Sequence, residues 1–184
     1  MTFIRKTIRR KEGGVVLFIS LVLLLVLTIA GVSAVQTTSL EERMARNSHD
    51  TLIAFQAAES ALREGERYLE DNVTSTALFM GKVGAGGLWD KPAFGDPKRW
   101  EIADVWNGGG SSVEVETAIG GVAEQPRYII EWIATVQREG NPYLLEESTS
   151  GILDRVEVFR VTARGVGGSP TARVLLQSTF GMVF

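Results

Sequence analysis

Residues 9–45 read RRKEGGVVLFISLVLLLVLTIAGVSAVQTTSLEERMA. A basic, glycine-ended stretch runs into Val15–Val35, which is 21 residues without a charge, fifteen of them Leu, Ile, Val or Phe. As a helix rising about 1.5 Å per residue, the run spans about 31 Å and matches a bilayer core of about 30 Å. Each aliphatic or Phe residue near the bilayer centre contributes about −0.3 to −0.6 kcal/mol, so insertion is favoured by several kcal/mol. Ser20, Thr28 and Ser33 fit such a helix because a hydroxyl can bond a carbonyl one turn back. The alternative, a helix packed on a soluble domain of ordinary size, would keep a polar side, and the run has none.

The flanks give the run a direction. Arg5, Lys6, Arg9, Arg10 and Lys11 precede it, and only Arg43 and Arg46 follow it closely. This asymmetry places the N-terminus in the cytoplasm and the body across the membrane. The competing reading is a cleavable secretory signal cut near Ser33-Ala34. Its apolar region would be only about 7–15 residues long.

Nothing stops the helix at Val35, since the next proline is Pro92. Residues 36–70 are rich in Ala, Glu, Arg and Leu, all good helix formers. Leu40, Met44, Leu52, Phe55, Ala58, Leu62 and Leu69 recur mostly at three- and four-residue spacings, the mark of an amphipathic helix. Ser39-Leu40-Glu41-Glu42 fits a capping box and would allow a break near residue 38. A continuous helix over about residues 15–70 is the expectation, with Phe55, Leu62 and Leu69 packed under a sheet.

Residues 71–111 hold most of the turn formers, in GKVGAGGLWDKPAFGDPKRW and NGGGSS, and read as loop. Trp89, Phe94, Trp100 and Trp106 are expected to pin that loop to the body. Beyond it the period changes. SSVEVETAI, RYIIEWIATVQ, VEVFRVTARG and TARVLLQSTFG alternate or cluster β-branched residues, and GVGGSP between the last two reads as a hairpin turn. The expected fold is α+β, with about four antiparallel strands covered on one face by the amphipathic half of the helix. The other face is expected to be solvated around Glu114, Glu116, Arg160 and Arg164.

Charge and chemistry narrow the function. The chain carries net charge −3; without the five basic residues and one acidic residue of its first 14, 14 basic face 21 acidic residues. A net acidic body repels phosphate, so nucleic acid is not an expected partner. No cysteine is present, which excludes disulfides and thiolate metal sites. His49, the only histidine, lies beside Asp50 in a polar patch, with no nucleophile or ligand set at a suitable spacing. Gly81-Lys82 lacks the pattern of a phosphate loop. Asp90, Asp96 and Asp104 match no EF-hand. Asn72-Val73-Thr74 fits a glycosylation sequon that is frequent by chance. Glu41-Glu42 and Glu146-Glu147 read as solvated or paired charges. No enzyme, cofactor or metal site is expected.

The basic leader, apolar helix, amphipathic continuation and C-terminal sheet resemble a type IV pilin-like subunit. The likeness is most specific to the PilX family of minor pilins. It is carried by GVVLFISLVLLLVLTIAGVSAVQTTSLEERMARN, AFQAAESALREGE and FRVTARGVGGSPTARVLLQSTF. The resemblance implies a leader at 1–14, a transmembrane and filament-core helix at 15–35, an amphipathic half at 36–70 and a head domain at 71–184. It implies that a prepilin peptidase cuts between Gly14 and Val15 and methylates the Val15 amine. Val15, Leu17, Ile19, Leu24 and Val35 would then lie first in the inner membrane of a Gram-negative bacterium and later in the core of the pilus fibre. Implied partners are other minor pilins, the major pilin and a tip adhesin, in a protein that helps initiate the fibre.

Two positions depart from the usual pilin pattern. Most pilins carry glutamate at the fifth mature position, and here that position is Ile19. Many pilins also close a C-terminal loop with a disulfide, which a chain without cysteine cannot do. The alternatives are a type II secretion pseudopilin, a single-pass inner-membrane protein with a periplasmic ligand-binding domain, and a DNA-receptor pilin. The last is disfavoured by the acidic body.

Overall fold

The computed structural model describes residues 13–137 and 155–184. The basic residues before Gly13 and the Glu146-Glu147 pair lie outside the described residues. Helix α1 runs without a break over Gly13–Asn72, so the capping box at Ser39 starts no new helix. The chain divides into two compact units, residues 1–46 and 47–184.

In the first unit every Leu, Ile, Val and Phe from Val15 to Val35 is between 41% and 71% exposed. The second unit contains the end of α1 and a sheet of five strands: β1 Leu88–Trp89, β2 Val113–Glu114, β3 Arg127–Gln137, β4 Arg155–Val166 and β5 Arg173–Met182. The order β1-β3-β4-β5 is antiparallel at β3–β4 and β4–β5, and β2 also pairs antiparallel with β3. The expected four antiparallel strands are thus joined by β1, which pairs parallel with β3 and comes from the segment expected to be loop. The β-branched runs in β3 and β4 form the long central pair, with a bulge between Trp132 and Ala134. The GVGGSP stretch makes the turn from β4 to β5, closed by Gly167 N–H donating to the Ala172 carbonyl at 2.8 Å.

One face of the sheet packs on α1 through Tyr128, Ile130, Phe159, Val161 and Ala163, against Ala61 and Leu69 of the helix. The opposite face differs from expectation. Its middle is covered rather than solvated, by a layer of Trp89, Val105 and Trp106 over Ile129, with Trp100 and Ile102 beside them, while Glu114, Glu116 and the outward side of β5 are exposed. Arg160 and Arg164 lie against that layer. Arg160 stacks on the Trp100 ring at 4.2 Å and pairs at 3.0 Å with Glu131, which is 1% exposed. A guanidinium has a flat face that lies on an indole while its edge donates to a carboxylate, so Arg and Glu in a strand do not require solvent. Phe94 does not join the layer and is fully exposed.

Candidate assembly surfaces

The first candidate surface is the apolar half of α1. Two of its three hydroxyls bond within the helix: Ser20 Oγ donates to the Leu17 carbonyl at 2.8 Å and Thr28 Oγ1 to the Leu25 carbonyl at 2.7 Å. The surface it presents is therefore uncharged and almost wholly apolar. Val15, Leu17, Ile19, Leu24 and Val35 are all exposed on it. Gly14 lies in the first turn, where the backbone N–H groups have no partner within the helix. Two adjacent glycines there lower local helix stability further.

The second candidate is the face of α1 turned to the sheet. It is built from small residues: Ala54, Ala57, Ala58 and Ala61 are at most 1% exposed, and Gly65 is buried. The sheet answers with Gly165 of β4. A Cβ on Gly165 would strike the Ala54 carbonyl oxygen and the Ala58 amide nitrogen, and one on Gly65 would lie 2.6 Å from Val161 Cγ1. Backbone thus approaches backbone, which only residues without bulk permit. Leu69 is 0% exposed and Leu62 packs partly buried beside the same core. Phe55 does not pack under the sheet. It is 43% exposed, because the closely approaching face belongs to Ala54, Ala57 and Ala58.

Asp50 locks this helix to the β4–β5 turn. Its carboxylate accepts hydrogen bonds from the Gly168 and Ser169 N–H groups and from the Ser169 hydroxyl. The Ser169 hydroxyl is the main cause holding the Asp50 carboxyl below its ordinary range; burial opposes it, and the two backbone N–H groups and His49 add to it. His49, the sequence neighbour of Asp50, is exposed. The sequence carries no sign of a contact across 119 positions.

On the opposite face, Arg164 pairs with Glu124 and lies 5.7 Å from the Trp106 ring, and burial lowers its pKa against the pull of Glu124. Tyr128, between sheet and helix, is pushed up to about 12 by burial and then by Glu64. The three loop aspartates serve separate turns. Asp90 accepts from the Gly81 N–H at 2.6 Å, Asp96 from the Ala93 N–H at 2.9 Å, and Asp104 from the Asn107 side chain at 3.3 Å. Among the described residues no three Asp, Glu or His side chains are gathered to hold a metal. Asn72 ends α1, its amide donating to the Tyr68 carbonyl at 3.3 Å.

A family model described as Type IV pilus assembly protein PilX C-term matches residues 41–182, and one described as PilX N-terminal matches residues 13–63. No curated protein and no solved structure matches the chain.

Proposed function

The chain belongs to the PilX family of type IV pilus assembly proteins, and on that footing we propose that it is a minor pilin that helps prime pilus assembly and sits at or near the fibre tip. The observation that carries the reading is the exposed apolar half of α1, which suggests a membrane anchor. A helix with no polar side suits lipid and the dry centre of a helical filament equally, so the same residues serve before and after assembly. In this reading the N-terminus starts in the cytoplasm and the head in the periplasm. A prepilin peptidase cuts between Gly14 and Val15, and the frayed diglycine turn gives it an accessible bond. Other minor pilins, the major pilin and a tip adhesin are the partners.

Ile19 supports the position at the tip. In the resemblance, a glutamate at this place pairs with the N-terminal amine of a subunit already in the fibre. An unpaired acid in lipid costs about 2.5–3.5 kcal/mol, so it is retained where a partner exists. A first subunit has no predecessor to pair with and functions with isoleucine. Mass spectrometry of the mature protein tests the processing step: a chain starting at methylated Val15 is expected, and a start near Gln36 would mean a secretory signal. Labelling of the head in intact pili tests the position. Label confined to fibre ends is expected, and label spread along the shaft rules the tip out.

A further inference from the structure

The tryptophan layer does not close its face of the sheet completely. Where it ends, a cleft of about 360 Å³ remains between residues 100–107, the end of β4 and the start of β5. Trp100, Ala103, Trp106 and Leu175 give it apolar walls, while Glu124, Arg164 and Arg173 bring charge into it. Small-molecule sites of roughly 300–1,000 Å³ have this make-up, apolar walls with a few placed polar groups.

The charges of the cleft do not cancel. Lys98 pairs with Glu101 at 3.0 Å and Arg127 with Glu114 at 3.2 Å, so these two neighbouring pairs are neutral. Asp104 does not line the cleft and accepts from the Asn107 amide. Arg164 and Arg173 are left to share Glu124. One positive charge is in excess, in a body that is otherwise net acidic.

Arg164 is the cation best placed to use that excess. Its side chain is 11% exposed and burial lowers its pKa, so it is short of water. Among the described residues only its Nη2 has a partner, the Glu124 carboxylate. None of its nitrogens is both buried and unpaired, so Nε and Nη1 stay open to solvent beside the cleft that Arg164 lines. Arg173 stands at the rim, 55% exposed, its Nε donating to the Pro170 carbonyl at 2.9 Å. The Trp106 N–H is spent on the Trp100 carbonyl at 3.0 Å, so this indole offers the cleft only apolar surface.

We propose that the cleft binds a small carboxylate with an apolar body, its carboxylate against Arg164 and Arg173 and its body against Trp106 and Leu175. The planar fork of a guanidinium matches a carboxylate edge to edge. One negative charge cancels the excess. A phosphate monoester carries about −1.5 to −2 near pH 7 and would leave the cleft negative beside Glu124. A neutral molecule would leave the excess unanswered. The inference uses only the head and is independent of the pilus reading.

Full-length protein in a neutral detergent, isotope-labelled at its four tryptophan indoles, is titrated with cyclohexanecarboxylate and followed by NMR. Saturable shifts are expected at Trp100 and Trp106, with Trp132, which lies outside the cleft, unmoved. Cyclohexanecarboxamide has the same body without the charge and controls for partition into the micelle. The amide and cyclohexyl phosphate are each expected to bind at least about tenfold more weakly. Arg173→Gln changes an exposed side chain, so it is expected to weaken the carboxylate by about tenfold while the melting temperature holds. Absence of a saturable shift, equal binding of the amide, equal movement of Trp132, tighter binding of the phosphate, or unchanged affinity in Arg173→Gln each overturns the proposal.

Discussion

The two halves of α1 bury or expose apolar surface by opposite rules. From Val15 to Val35 the helix carries large aliphatic side chains on every side, all well exposed. From Ala54 to Gly65 its buried face holds nothing larger than alanine, while the bulkier Phe55 turns partly outward. The first half must fill space around itself wherever it is placed. The second must let backbone approach backbone, and bulk would prevent that. Hydrophobicity alone ranks the first half as the better core helix, yet in this structure the second half is the one in a core. Size complementarity decides contact here, and hydrophobicity decides only the medium.

The contrast is broken most severely at Gly165. A valine there would drive its side chain into the backbone of Ala54 and Ala58. Over-packing usually costs about 1–3 kcal/mol because side chains can shift aside. Helix backbone cannot, so Gly165→Val is expected to exceed that range and abolish the cooperative unfolding transition, read by circular dichroism of the detergent-solubilised chain. Retention of the wild-type transition would mean that α1 is not seated so closely on β4.

A second comparison sets two residues of the same stripe against each other. Leu69→Ala removes a fully buried side chain and is expected to destabilise by about 2–5 kcal/mol. Phe55→Ala removes a larger but 43% exposed side chain and is expected to cost less than Leu69→Ala. Denaturant titration of both variants gives the order. A reversed order would show that Phe55 is covered in the native protein.

The sequence was readable for this helix where one property sufficed. The uncharged run, the absence of proline and the period of three to four gave α1 nearly to its ends, and β3, β4 and β5 followed from their β-branched residues. The period of large apolar residues puts Phe55 under the sheet, where the structure leaves it 43% exposed. The small-residue period Ala54, Ala57, Ala58, Ala61 and Gly65 was equally visible and marks the close face. The tryptophan layer was half legible: the aromatics signalled a pinned loop, but not that Arg160 and Arg164 would stack on it. The Asp50–Ser169 link and β1 were not legible, since each depends on where distant segments meet in space.

The apolar half is probed at its middle. Leu24→Lys places a charge where lipid would surround it, at an expected cost of about 2.5–3.5 kcal/mol for insertion. Fractionation should find less protein in the membrane, while the melting temperature of the head stays at the wild-type value. If the head melts earlier, the apolar run supports the fold and is not an independent anchor.

The smallest expected effect sharpens the point at which the second half begins to hold the head, one turn before Ala54. Asp50 has its folded pKa depressed, so the stability it contributes is present above the ordinary carboxylate value of about 3.9. That contribution is lost as pH falls through the depressed folded value, because protonation removes an acceptor from the Gly168 and Ser169 groups. Asp50→Asn keeps one acceptor oxygen but has no charge to lose. At neutral pH the variant should melt below the wild type. The gap should narrow on acidification below about pH 4, as the wild-type carboxylate becomes neutral as well. Melting temperatures of the two proteins across that range decide the matter. A gap that stays constant would assign the helix–turn link to neutral hydrogen bonding and leave the charge of Asp50 without a part in it.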